Sequence, residues 1–567
     1  MTYTPPVADQ RFVLKHVVRF DELAAHEAFA EATPDLVDAI LEGAGEFAAG
    51  EFAPLNRVGD EVGARWSPDG VTLPAGFKEA YRAYVEAGWG TLAGPAEFGG
   101  QGLPLTLATV VMEDLGAANM AFSLIMMLTP GAVEALKHHG SDDLKAQWLP
   151  KLVTGEWSGT MNLTEPQAGS DVGALKTKAE PVGDGSWRVA GTKIFITFGD
   201  HDLTDNIVHL VLARTPGAPA GTRGISLFLV PKILPDGSAN DLRCVSIEHK
   251  LGIHASPTCV MSYGDEGSCL GWLIGEENGG MRAMFTMMNN ARLNVGLQGV
   301  SIGERATQAA VAYARQRVQG AREGRAVAII EHADVRRMLL RMKSLTQAAR
   351  ALAYYCAGQT DRASLGDADA RARADLLTPL VKAYGTDVGV EVASLGVQVH
   401  GGMGYVEETG AAQHYRDIRI SPIYEGTNGI QAADLVGRKI GLEGGAVLDR
   451  LVSEAKSECR GHARLLDLLT RCHSVGANLL HAPADERLAA SYPFLTMLSV
   501  AVSGWLMVRQ LAAAEAGEGD PAFLAMKKAA ARYYLQQIVP EAIGLHPQAM
   551  APAELLYGVD EAAFAAV

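Results

Sequence analysis

Cysteine is scarce in this chain. There are six in 567 residues, at Cys244, Cys259, Cys269, Cys356, Cys459 and Cys472. None makes a C-x-x-C pair, so neither a zinc site nor a disulfide framework is indicated. Basic charge is also in deficit. Lys and Arg number 49 against 65 Asp and Glu, a net charge of −16, which argues against phosphate-backbone or anionic-membrane binding as the main activity. Any grip on a small anionic ligand must then come from a few placed arginines and backbone amides. The start, Met1-Thr-Tyr-Thr-Pro-Pro6, lacks a basic segment followed by an apolar core. The expectation is no secretory signal and a reducing, cytoplasmic setting. Several motifs are missing too: no G-x-G-x-x-G after a strand, no G-x-x-x-x-G-K-[ST], no H-E-x-x-H and no G-x-S-x-G. Nicotinamide-Rossmann, P-loop, zincin and α/β-hydrolase readings lose their anchors. His138-His139 has no acidic or cysteine partner at ligand spacing, so no metal site is expected. Asn162-Leu-Thr164 matches a glycosylation sequon by chance.

Apolar material is ample. Hydrophobic residues make up 48% and charged residues 20%, an ordinary globular composition. At roughly 150 residues per domain the length predicts three to four domains. Residues 1–35 read as an N-terminal arm with the apolar run Arg11-Phe-Val-Leu-Lys-His-Val-Val18. Residues 36–157 read as helical, with Leu36, Ile40, Ala44 and Phe47 at helical spacing, and with a Gly/Pro loop from Gly94 to Pro104. Residues 158–278 carry short β-type runs: Trp187 to Ala190, Lys193 to Thr197, Ile207 to Leu212 and Ile225 to Val230. Gly/Asp/Pro turns separate them, as in a small barrel or sandwich. Helical periodicity returns over 279–442, and residues 443–567 form a further helical block containing the loop Gly517-Glu-Gly-Asp-Pro521. This α, β, α, α order is not βαβ alternation. The uncharged stretch Leu488 to Val508 is long enough to span a bilayer. Polar interruptions and the lack of flanking basic clusters favour a buried helix instead.

Two segments carry candidate chemistry. The first is Met161-Asn-Leu-Thr-Glu-Pro-Gln-Ala-Gly-Ser-Asp-Val-Gly173 with Lys193-Ile-Phe-Ile-Thr-Phe-Gly199. Pro166 and Gly169 free backbone amides there for a planar or anionic ligand. The second is Gln398-Val-His-Gly-Gly-Met-Gly-Tyr-Val-Glu-Glu408, continuing through Arg416 to Ile423-Tyr-Glu-Gly-Thr-Asn-Gly-Ile-Gln431. Glu425 lies between Tyr424 and Gly426, after the apolar Ile423. Desolvation there would raise its pKa and suit a general base. By spacing alone the more ordinary reading, a loop glutamate in a salt bridge with Arg416 or Arg419, is favoured.

Together these segments resemble the acyl-CoA dehydrogenase family of flavoproteins, over roughly residues 40 to 440. The resemblance implies a mainly α, mixed α and β fold: a helical domain, a central β-barrel domain and a C-terminal four-helix bundle, here followed by an extra helical domain. It implies FAD between the β-domain and the bundle, with part of the site supplied by a neighbouring subunit. Glu425 matches the family's base, which removes the α-proton of an acyl thioester while the β-hydride passes to flavin N5. The thioester oxygen is then held by a flavin ribityl hydroxyl and by the backbone N–H of Glu425. Closing such a site removes water and brings the base's pKa toward that of the substrate.

The resemblance also implies the remaining contacts. Thr164 and Ser170 match positions near the flavin ring and pyrophosphate. Phe195 and Thr197 match a Trp-x-Thr pair on the isoalloxazine, with Phe in place of Trp. Arg315 matches an arginine that reaches the neighbouring subunit's FAD. Gln398, Gly401 and Gly402 match a stretch at the adenine end of FAD, and Thr427 matches a further flavin contact. Ser170, Arg292, Tyr424 and Gly426 are the expected substrate contacts. The aspartate usual three residues before the arginine is Asn289 here. Phe122, Leu124, Met126, Met127 and Leu128 match an acyl-pocket helix, though a plain helix core predicts the same residues. Met281, Met284, Met287 and Met288 are read as core.

The arm, the C-terminal block, Glu248-His-Lys-Leu-Gly-Ile-His-Ala-Ser-Pro-Thr258 and Tyr424 to Gln431 resemble the family's long bacterial branch. That branch includes the 3-methylmercaptopropionyl-CoA dehydrogenases. The expectation is α,β-desaturation of a saturated acyl-CoA in fatty acid β-oxidation, with electron-transferring flavoprotein as acceptor. A homodimer is expected, because the extra block takes the place of a second dimer. Two alternatives use the same scaffold. One is an acyl-CoA oxidase, in which oxygen reoxidises the flavin. The other is a DNA-associated alkylation-response protein, which would need a basic face that the acidic last block does not offer.

Overall fold

The computed structural model describes residues 3–517 and 519–566, so Glu518 in the Gly517–Pro521 loop lies outside the described residues. The chain divides into two units. One joins Pro6–Thr33 to the chain from Val295 onward; the other joins Tyr3 to Pro5 with Pro34–Asn294.

The second unit begins with helices Pro34–Phe47, Ala53–Val62, Phe77–Glu86, Leu105–Ala118, Met120–His139 and Asp142–Thr154. Their ends are set by local chemistry. The side chain of Asn119 accepts from the Phe122 N–H, and that of Ser141 from the Leu144 N–H, satisfying orphan donors at two helix starts. Gly155, at φ +82, ends the last of these helices. A short hairpin, Arg65–Ser67 with Gly70–Thr72, interrupts the helical run. The sequence pattern did not indicate it.

The strands that follow form one eight-stranded sheet. Its order is Ser158–Asn162, Ile207–Ala213, Ser226–Pro231, Leu270–Ile274, Ser186–Thr197, Thr258–Tyr263 and Leu242–Ile247, with Lys178–Pro181 also on Ser186–Thr197. Strand alternation divides the core in two. Val208, Leu210, Leu212, Leu227 and Leu229 join Val133, Leu136, Trp148 and Leu149 from the helices. Val211, Ala213, Phe228 and Val230 face the other way, onto Ile196, Cys259, Met261 and Tyr263. Burial on both faces makes Ile207–Ala213 a continuously buried run, apolar except for His209, rather than an alternating one. The two runs Trp187 to Ala190 and Lys193 to Thr197 are one 12-residue strand. Asn162 of the sequon is buried, and its side-chain oxygen accepts from the Tyr263 hydroxyl at 2.8 Å.

The first unit is mainly helical, with a hairpin of Val318–Arg322 and Arg325–Ala328. Its long elements are Ala333–Ser364 and Ala368–His400, with Ala411–Ile418 and Asn428–Asp434 following. Helix Gly280–Gln316 enters it from Val295. The extra block contributes Ala446–Glu458, Ala463–His481, Ala484–Ala516 and Pro521–Tyr533. The uncharged stretch lies in Ala484–Ala516. Met120–His139 and Ala484–Ala516 are both long and apolar enough to cross a membrane, yet 83% of each apolar window is buried inside the protein. The N-terminal arm is helical over Val7–Val13, and Asp9 explains why it stays. Its carboxylate accepts from Lys527 at 2.5 Å and from Arg350, both buried. Burial would raise the Asp9 pKa, but the two cations hold it down at about 2.

Candidate functional site

In the sheet unit, the loop after Asn162 is organised by Glu165, a residue that motif reading passed over. Its side chain is 3% exposed. It accepts from the Lys176 N–H at 2.7 Å, the Thr177 N–H at 3.0 Å, the Thr177 hydroxyl at 2.5 Å, Gln167 at 2.6 Å and Lys193 Nζ at 2.9 Å. Burial opposes its charge, but Lys193 and these donors bring its pKa down to about 2. Lys193 Nζ also donates to the Leu163 carbonyl at 3.0 Å, and the Ile194 N–H donates to the Thr164 carbonyl at 2.9 Å. The ion pair therefore fastens the Thr164 loop to the strand that carries Phe195 and Thr197. Buried among apolar groups, Lys193 itself has its pKa pulled down to about 8 against the pull of Glu165.

That strand is bulged at the same place. Lys193 pairs with Met261 and Ile196 with Cys259, so Ile194 and Phe195 oppose Val260 alone. Phe195 takes φ +61, a left-handed conformation costly for an aromatic residue, and stands 57% exposed. The bulge therefore lifts one aromatic ring out of a sheet whose other rings are packed away. In the Thr164 loop Ser170 is exposed, and space is open above Gly169. Thr197 is half-buried and pairs with Thr258.

The other candidates of this unit are buried. Arg292 is 6% exposed, with its guanidinium 5.9 Å from the Phe285 ring centroid, while Asn289 is exposed. Phe122 stacks on Phe52 at 4.5 Å and meets Phe77 at 4.6 Å, and Leu124, Met126, Met127 and Leu128 are buried with it. Met284 and Met287 belong to the core, with Met281 and Met288 packed against it.

In the bundle unit, the Ile-Tyr-Glu-Gly-Thr motif forms a closed loop between helices Ala411–Ile418 and Asn428–Asp434. The Asn428 N–H donates to the Pro422 carbonyl at 2.9 Å across its neck. Thr427 caps the following helix, its hydroxyl accepting from the Ile430 N–H at 3.1 Å. Gln298, on Gly280–Gln316, accepts from the Ser421 hydroxyl at 3.0 Å and from the Tyr424 hydroxyl. Burial raises the Tyr424 pKa, so the phenol stays neutral as a donor. The buried Gln431 amide donates to the carbonyls of Glu425 and Gly426 at 3.4 and 3.3 Å. Glu425 at φ +56 and Gly426 at φ +82 are consecutive left-handed residues at the apex. Arg416 meets Glu407 at 2.8 Å.

Elsewhere in this unit, Gln398, Gly401 and Gly402 are exposed at the end of Ala368–His400. Gly401 has φ +62, and a Cβ on either glycine would meet nothing within 4 Å. Gly404 is different: a Cβ there would lie 2.2 Å from the Val397 carbonyl, so that glycine serves the turn. Arg315 is exposed near the end of Gly280–Gln316.

Comparison with known proteins completes the description. Residues 35–156, 160–265 and 278–440 match the N-terminal, middle and C-terminal domains of acyl-CoA dehydrogenase. This chain belongs to the acyl-CoA dehydrogenase family. Residues 457–560 match a further domain, described as acetyl-CoA dehydrogenase C-terminal like. The chain is 47% identical to the 3-methylmercaptopropionyl-CoA dehydrogenase of Ruegeria pomeroyi, over 96% of this chain and 97% of that one. It is 35% identical to a butyryl-CoA dehydrogenase of Syntrophomonas wolfei, over 96% of each. The fold is similar to an acyl-CoA dehydrogenase from Bacillus anthracis complexed with FAD, with a TM-score of 0.76, 22% identity, and 93% and 90% of the two chains covered. As a member of this family the protein is an FAD-dependent oxidoreductase acting on acyl-CoA. Its own geometry fits such a cofactor. The sheet unit presents an exposed aromatic ring at Phe195 and open space above Gly169, and the bundle unit, taken by itself, presents open glycine backbone at Gly401 and Gly402.

Proposed function

We propose that this dehydrogenase desaturates a saturated acyl-CoA between its α and β carbons, with Glu425 as the base. The observation that carries this reading is the conformation of Glu425. It is a non-glycine residue held at φ +56, in a loop pinned at its neck by Asn428, at its floor by Gln298 and at its carbonyls by Gln431. Structure persists in such a backbone state only where the surroundings over-determine it, and such states cluster at functional sites.

In the reaction Glu425 takes the α-proton onto its carboxylate, and the backbone N–H of Glu425 donates to the thioester oxygen as enolate charge develops. Bound FAD supplies the hydride acceptor for the β carbon. Phe195 and Thr197 would lie against the isoalloxazine, and Thr164, Ser170 and Thr427 would bond flavin or phosphate oxygens. Arg315, Gln398, Gly401 and Gly402 would approach the pyrophosphate and adenine end. Ser170, Arg292, Tyr424 and Gly426 would contact acyl-CoA, Tyr424 through its ring and backbone, since its hydroxyl serves Gln298. The role in fatty acid β-oxidation, electron-transferring flavoprotein as acceptor, the cytoplasmic setting and the homodimer belong to the same reading. The 47% identity to a 3-methylmercaptopropionyl-CoA dehydrogenase makes a short acyl chain the first to test.

Anaerobic titration of the holoprotein with acyl-CoAs of increasing chain length, 3-methylmercaptopropionyl-CoA included, should bleach the flavin absorbance. The same preparation should sediment as a dimer. Glu425→Gln should keep FAD and lose bleaching by about 10²–10⁴-fold in rate. Absence of bleaching with every acyl-CoA would remove the desaturation reading, and retained bleaching in Glu425→Gln would move the base elsewhere.

A further inference from the structure

The neck of the Glu425 loop is tied to the C-terminal helical block. Asn428 closes the loop with its backbone N–H, and its side chain is buried and fully engaged. Its amide oxygen accepts from Lys382 Nζ at 2.8 Å. Its amide nitrogen donates to the Thr386 hydroxyl at 3.0 Å and to Asp387 Oδ1 at 2.8 Å. The other oxygen of Asp387 accepts from the Tyr492 hydroxyl at 2.7 Å. Tyr492 lies on Ala484–Ala516, within the segment that matches the extra domain rather than the three-domain core. That helix also packs against Asn428–Asp434.

Other polar contacts join this block to the bundle. The Tyr384 and Tyr534 hydroxyls meet at 2.6 Å, and Arg341 meets Glu541 at 2.8 Å. Those links serve docking, because neither reaches the loop. The Tyr492–Asp387–Asn428 chain does, and its geometry is directional. Tyr492 orients one carboxylate oxygen, which leaves the other aimed at the Asn428 amide. With Lys382, Thr386 and the Ala383 carbonyl, which the Asn428 amide also meets, Asp387 helps hold Asn428, whose own N–H is on the Pro422 carbonyl.

We propose that Tyr492 and Asp387 are positioning residues for the reaction, through which the C-terminal block holds the loop that carries Glu425. This rests on the reading of Glu425 as the base. The block is then a working part of the site's support as well as packing for the fold. Loosening the chain at Tyr492 would let the neck of the loop relax, and a small displacement of a base from its proton is costly in rate.

The test uses full-length holoenzyme and rapid-mixing measurement of flavin reduction by acyl-CoA. Tyr492→Phe should slow reduction at saturating acyl-CoA by roughly three- to tenfold, with the half-saturating concentration unchanged. Asp387→Asn should slow it at least as much, and the double variant should match Asp387→Asn alone, because residues acting in series are not additive. A purely structural tie would instead lower the melting temperature and leave the reduction rate of the folded holoenzyme at the wild-type value. That result in Tyr492→Phe would overturn the proposal, as would effects that multiply in the double variant. Should Asp387→Asn not fold, Tyr492→Phe decides alone. Glu425→Gln, run alongside, separates the two readings. If it still reduces flavin, the base reading fails and this proposal falls with it. If it is inert while Tyr492→Phe is as fast as wild type, only the positioning claim fails.

Discussion

Two loops hold the candidate chemistry, and they are secured by different kinds of group. In the sheet unit, the Thr164–Ser170 loop is fastened by a buried ion pair, Lys193 with Glu165, whose carboxylate takes five donors. In the bundle unit, the neck, floor and carbonyls of the Glu425 loop are tied by amides and hydroxyls: Gln298, Gln431, Asn428 and Tyr424. The formal charges of Lys382 and Asp387 stand one residue back, behind Asn428. The contrast has a physical basis. Amide and hydroxyl dipoles fix the backbone of a loop at smaller electrostatic cost than buried charges do. A loop that only has to present backbone and hydroxyl groups tolerates a buried ion pair and gains register from it.

The sharpest way to break this comparison is Lys193→Met. It leaves Glu165 buried and unpaired, which should cost about 3–5 kcal/mol of stability and release FAD. Thermal unfolding and free-flavin fluorescence would show both. Adding Glu165→Gln should recover part of the loss, and a double variant as unstable as the single one would show that the charge pair was not the fastening.

Acid should separate the units next. In the sheet unit His201 and His209 are buried, and burial, with Lys232 adding repulsion, pulls both pKa values down to about 3. An imidazole lowered on folding contributes stability that is complete above its unfolded value near 6.5 and is lost as pH falls toward about 3. In the bundle unit the strongly lowered groups are carboxylates, Asp9 and Glu304, both at about 2. Their contribution is complete above about 4.5 and is lost only below it. The bundle unit's buried His400 is lowered by burial too, though its bond to the Gly396 carbonyl opposes the shift. Hydrogen exchange at pH 5 compared with pH 7 should therefore rise more in Ser158–Asn162 and Ile207–Ala213 than in Ala368–His400. Equal rises would refute the assignment of early acid sensitivity to the two imidazoles.

The smallest expected effect sharpens the view of the bulge. Phe195→Gly relieves a left-handed aromatic residue and should stabilise the apoprotein by about 1 kcal/mol while weakening FAD retention. Denaturant midpoints with and without FAD would measure both. A variant that gains no stability would mean the backbone there is not strained, and unchanged FAD retention would mean that Phe195 does not hold the flavin.

Much of this was legible in the chain. The α, β, α, α order followed from periodicity, because apolar spacing of about 3.6 residues or of two reflects which face is buried. The Thr-Glu-Pro and Tyr-Glu-Gly-Thr segments marked both loops, because backbone that must turn sharply or lie open needs Gly and Pro in particular places. Other features carried no local signature. The Arg65–Thr72 hairpin is only three residues to a strand, too short for alternation to register. Lys193 stands 28 residues from Glu165 and Gln298 stands 126 from Tyr424, so no spacing rule connects them.

The sequence by itself determined the family, the order of helical and sheet regions and the dependence on FAD, and it marked two candidate loops. Those are properties of residue type and local periodicity. The tertiary structure alone decided how the loops are secured, which aromatic ring a bulge lifts into the open, and that a tyrosine of the last helical block reaches the neck of the Glu425 loop. These depend on residues far apart in sequence meeting at hydrogen-bond distance, and a linear pattern contains no record of such a meeting until the chain has folded.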